Sequence, residues 1–146
     1  MYEYNILEDE WKERKSSMTQ KIKGHACSMV NEQELIIIGG EQRRNRALSS
    51  SSIFHLKKQT WKPGPSLPTS IAWAPFVKSK PGSHYLGYLI GGRGNDERRK
   101  GDNFSSAIYA LKKDLSKFEK IGNLKQKRGG HVAFLSQEAI SEKCND

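Results

Sequence analysis

The chain has 146 residues, enough for one domain, with a formal net charge of +9 and only 35% hydrophobic residues. No apolar run approaches the roughly 18 residues that a membrane-spanning helix needs, and Met1-Tyr2-Glu3-Tyr4 lacks the basic and apolar regions of a signal peptide. Cys27 and Cys144 make neither a disulfide framework nor a metal-ligand spacing, so a reducing cytoplasm suits them and no metal or cofactor is expected. Without a secretion signal, the sequon Asn103-Phe104-Ser105 reads as coincidence.

In chain order, residues 1–18 read as two strands, 4–7 and 11–14, around the polar turn 7–10. Residues 24–67 read as four strands. The first covers 25–30, and the second is the apolar run Leu35-Ile36-Ile37-Ile38 ending in Gly39-Gly40. The third lies near 52–56 and the fourth begins at Trp61. A run so short and rich in isoleucine is a strand rather than a helix. The paired glycines permit positive φ and close approach of backbone. The succession returns in residues 72–124, with strands at 74–77, 86–90 and 107–111 and a last one from about Phe118. Tyr88-Leu89-Ile90-Gly91-Gly92 stands 52 residues after its counterpart. Aromatic pairs follow the same order: Tyr4 with Trp11, Phe54 with Trp61, Tyr109 with Phe118. Met18, Leu67 and Leu124 come after them in turn. Residues 130–135, opening on Gly130-His131, repeat the Gly24-His25 start and are expected to form one more strand. Trp73 stands where the other copies have His25 and His131.

Self-similarity at a period near 50 residues marks a repeat architecture. On these motifs the chain resembles the kelch repeat, the four-stranded blade of a β-propeller. The resemblance implies an all-β fold, a partial β-propeller of four-stranded antiparallel blades whose strands a to d run from centre to rim. Residues 1–18 would supply strands c and d of a split blade. Residues 19–68 and 69–124 would be complete blades, 125–140 strands a and b of a further blade, and 141–146 a polar tail. Gly39, Gly40, Gly91 and Gly92, with the three aromatic pairs, become structural marks of the repeat. The rings would fill the space between sheets, each burying roughly 150–250 Å². Phe118 departs from the tryptophan of the pattern. Kelch propellers usually have six or seven blades, so the resemblance leaves two readings. The chain is a fragment of a larger propeller, or two chains exchange half-blades in a six-bladed homodimer.

Two polar insertions follow the glycine pairs, residues 41–48 running into the serines 49–52, and residues 93–102. Both occupy the connection between strands b and c, so they are expected as mobile loops on one face. Arg43, Arg44, Arg46, Arg93, Arg98, Arg99 and Lys100 would then share a surface. Guanidinium forks bind carboxylates bidentately, and kelch proteins commonly grip a partner with the loops of one face. The resemblance thus implies a non-enzymatic protein-interaction module of substrate-adaptor or scaffold type, recognising an acidic protein partner. Against it, solvation alone explains polar loops, and Asp96, Glu97 and Asp102 offset part of the charge. Lysines beside the turns, such as Lys57, Lys58 and Lys117, read as solvated edges that discourage strand pairing. The four histidines lie apart and read as structural. No phosphate loop, nucleophile elbow or zinc spacing is present. The enzymatic alternative is a piece of a kelch-type enzyme such as a sugar-acid mutarotase. Nucleic-acid binding by the arginine-rich insertion is the weaker alternative, because the aromatics are expected in the core rather than on a stacking platform.

Overall fold

The structure, a computed structural model, describes residues 2–14, 16–18, 20–42, 46–95 and 103–136. Every regular element among them is a β-strand, and every ladder is antiparallel. β1 (Tyr2–Asn5) and β2 (Glu10–Glu13) form a two-stranded ribbon. β3 (Ala26–Met29), β4 (Glu34–Ile38), β7 (Ser51–His55) and β8 (Thr60–Pro63) form a four-stranded sheet in that order. β9 (Phe76–Lys78), β10 (Tyr85–Ile90), β11 (Ala107–Lys112) and β12 (Phe118–Asn123) form a second in the same order. Each is a blade-type meander. Between β4 and β7 a short ribbon interrupts the first, made of β5 (Glu41–Gln42) and β6 (Arg46–Ala47).

Local chemistry places the strands. β4 is a row of stiff, branched side chains in the interior of its sheet, and Ile36, Ile37 and Ile38 are all buried. Short polar side chains close the hairpins. The Asn31 carboxamide oxygen accepts from the amides of Gln33 (2.8 Å) and Glu34 (2.9 Å), and Asp114 accepts from Ser116 N–H at 3.0 Å. The core lies between the two sheets: Ala26, Ile36, Ile38 and Ile53 of the first meet Leu89, Tyr109, Leu111 and Phe118 of the second, with Leu67 and Ile71 joining them.

The two sheets repeat the same hydrogen bonds around their glycine pairs and after their last strands. Gly40 N–H donates to Ile71 O (2.9 Å), and Gly92 N–H to Arg128 O (2.8 Å). Leu48 N–H donates to Gly40 O, and Ser105 N–H to Gly92 O, both at 2.8 Å. Leu67 N–H donates to Ser49 O, and Leu124 N–H to Ser106 O, both at 2.7 Å. Trp73 N–H donates to Gly24 O (2.7 Å), and Gly130 N–H in turn donates to Trp73 O (2.8 Å). These bonds establish which residues are equivalent.

They also correct the sequence reading in several places. Trp73 is the counterpart of Gly24 and Gly130, not of His25 and His131: the three share φ near +60° (+58°, +60° and +68°). The indole lies over Gly24, where an added Cβ would come within 2.7 Å of the ring. Tyr109 is not the counterpart of Phe54. Phe54 lies opposite Trp61 in its ladder, and the residue opposite Phe118 is Leu111. Tyr109 lies opposite Lys120, as Ser52 lies opposite Pro63 in the first sheet.

Residues 130–135 form no strand. Among the described residues no strand forms a ladder with them, and Gly130 N–H to Trp73 O is a single bond; Val132 is 90% and Phe134 81% exposed. Tyr4 and Trp11 fill no space between sheets, since their ribbon has only two strands and their rings stay exposed. The described ends of the first insertion form the β5–β6 ribbon rather than a loop. The serine tract belongs partly to β7, with Ser51 buried and its hydroxyl donating to Pro65 O at 2.7 Å.

Candidate interaction face

The glycine pairs fix where each insertion leaves its sheet. Gly39 and Gly40 have φ of +60° and +93°, and Gly91 and Gly92 have +63° and +96°. This left-handed backbone, open to glycine at little cost, turns the chain sharply out of β4 and β10. An added Cβ on Gly39 would fall on the carbonyl oxygen of Ile71; on Gly91 it would come within 2.6 Å of that of Arg128.

The first residue after each pair is then clamped in the same way. Glu41 exchanges backbone hydrogen bonds with Lys23 (3.0 and 2.8 Å), and Arg93 does so with Ala72 (2.8 and 2.7 Å). Arg93 also bridges to Phe104, where the second insertion returns. The two insertions therefore emerge from equivalent positions. Asn95 ties them together. Its carboxamide oxygen accepts from Ala47 N–H (2.5 Å) and its Nδ2 donates to Ala47 O (3.1 Å). An exposed asparagine of the second insertion thus pairs with the buried backbone of the first.

Of the basic residues expected on this face, the described ones are Arg46 and Arg93. Arg46 is exposed on β6 opposite Gln42, whose side chain donates to Gln20 Oε1 at 3.1 Å. Arg93 is half-buried at the root of the second insertion. Arg43, Arg44, Arg98, Arg99 and Lys100 lie outside the described residues, as do Asp96, Glu97 and Asp102.

At the root of the first insertion the Glu41 side chain is only 3% exposed and sits 3.3 Å from the Lys23 ammonium. A buried carboxylate is tolerated when it is paired. The equivalent position in the second unit carries the cation of Arg93, so the two roots differ in charge. Neither Asn95 nor Glu41 announces itself in the sequence; each is one polar residue among many after a glycine pair.

Several other ionisable groups are shifted by their surroundings. Hydrogen bonds from Lys62 and from Lys117 hold the carboxyls of Glu34 and Glu119 below their ordinary 4.5. Burial, helped by the charge of Arg128, holds the His131 imidazole below its ordinary 6.5. Its two ring nitrogens are enclosed without a hydrogen-bond partner among the described residues. Also among the described residues, no three His, Cys, Asp or Glu side chains converge as metal ligands, and no helix is long and apolar enough to cross a membrane.

No protein-family model matches the chain, and no curated protein matches it. The relation between its parts is internal, carried by the repeated hydrogen bonds and glycine pairs.

Proposed function

We propose that the chain is a non-enzymatic protein-interaction module built from kelch-type blades, working in the cytoplasm and gripping an acidic protein segment with the insertions after its glycine pairs. The observation that supports this reading is the pair of Asn95–Ala47 hydrogen bonds, which join the described ends of the two arginine-bearing insertions. Convergent loops on a rigid sheet scaffold are a common way to build a binding surface, and arginine suits carboxylate partners in particular.

The test uses a polyglutamate peptide as probe. Replacing Arg43, Arg44, Arg46 and Arg93 with Ala should reduce affinity at least tenfold at low ionic strength while leaving the far-ultraviolet circular dichroism unchanged. Equal binding by the variant and the parent chain would refute the reading. If the variant instead loses single-stranded RNA with a steep salt slope, the face is a nucleic-acid surface.

A further inference from the structure

Each four-stranded sheet has two unlike faces. In the first, Ile36, Ile38 and Ile53 point to the side that can be named leading, and Phe54 and Trp61 point to the trailing side. The repeated bonds match Ile36 and Ile38 with Tyr88 and Ile90, and the ladders match Phe54 and Trp61 with Leu111 and Phe118. The core joins the leading face of the first sheet to the trailing face of the second. This contact is heterologous: two different surfaces meet, and among the described residues one of each kind stays outside it.

Both ends show such a surface. The β1–β2 ribbon is built like β7–β8. Tyr4 lies opposite Trp11 as Phe54 lies opposite Trp61. The ring centroids are 5.0 and 4.7 Å apart at tilts of 41° and 38°. The turns end on Asp9 and Gln59 with φ of +53° and +54°. Yet Phe54, Leu111 and Phe118 are at most 5% exposed, whereas Tyr4 is 42% and Trp11 69% exposed. At the other end, Tyr88 and Ile90 stay partly exposed outside the core cluster, while their counterparts Ile36 and Ile38 are buried in it.

We propose that the occupant of both surfaces is a second copy of this chain, stacked head to tail. The Tyr4–Trp11 patch of one copy packs on the Tyr88–Ile90 face of the next, in the manner in which Leu111 and Phe118 pack on Ile36 and Ile38 within one copy. Large rings at the centre of the contact suit it, as Trp and Tyr are enriched where interfaces draw most of their energy. The net charge of +9 on each copy opposes approach, so added salt strengthens this association. Binding of an acidic partner responds to salt in the opposite sense.

Sedimentation velocity on the purified chain at moderate salt tests this. The parent chain should gain mass with concentration. Trp11→Glu and Ile90→Glu should each remain monomeric with an unchanged β-sheet circular dichroism spectrum. An equimolar mixture of the two should form one-to-one pairs, because each variant keeps the surface that the other has lost. Tyr88→Glu replaces Ile90→Glu in the same scheme should the latter fail to fold. A parent chain monomeric at all concentrations, single variants that still associate, or a mixture that stays monomeric would overturn the proposal.

Discussion

Gly39 shows how one residue decides the course of the chain. Its φ of +60° and the position of the Ile71 carbonyl leave no room for a side chain, and Gly91 repeats the arrangement against Arg128. Gly39→Val should therefore cost about 1–3 kcal/mol, since it adds both backbone strain and a collision; the urea midpoint checks it, and an unchanged midpoint would remove the role given to the pair. His131 makes a second test. Its folded-state value lies below the ordinary 6.5, so the unfolded chain binds more protons as the solution is acidified. Stability then rises with pH up to about the unfolded value and falls below it. The melting temperature should drop between pH 7 and 5.5, and His131→Phe should flatten that drop. The carboxyls of Glu34 and Glu119 are held down, so their contribution is lost only at more acid pH, as it falls through their folded values. The glycine pairs were legible in the sequence because few other residues accept such backbone. Asn95 was not, since what distinguishes it is a contact 48 residues away with Ala47.

At the scale of elements, the strands were legible where their own side chains dictate them. Leu35 to Ile38 can bury both faces only within a sheet, and turns closed by Asn31 and Asp114 mark the strand ends. What eluded a reading by residue type was register. The ring of Tyr109 resembles that of Phe54, but the path from Gly92 to Ser105 is longer than that from Gly40 to Leu48, so Leu111 takes its place. By residue type Trp73 aligns with the histidines, because nothing in a tryptophan signals φ of +58°. Residues 130–135 carry the alternation of a strand, and alternation is not enough: a strand needs a neighbouring ladder, and among the described residues none adjoins them. The β5–β6 ribbon was missed for the converse reason. Glu41, Gln42 and Arg46 have no strand preference; the clamp between Glu41 and Lys23 starts the turn-out that pairs them.

At the scale of the molecule, the described residues make two copies of one hydrogen-bonding scheme stacked through a shared core, preceded by a ribbon that copies the outer half of that scheme. The repetition, not any single contact, is the central claim, and amide hydrogen exchange followed by NMR tests it most directly. The amides of Gly40, Leu48 and Leu67 and their counterparts Gly92, Ser105 and Leu124 each donate to a backbone carbonyl at 2.7–2.9 Å. Both triads should be protected, and should lose protection together when the shared core opens. Protection of one triad while the other exchanges at the rate of a free peptide would contradict the repeat.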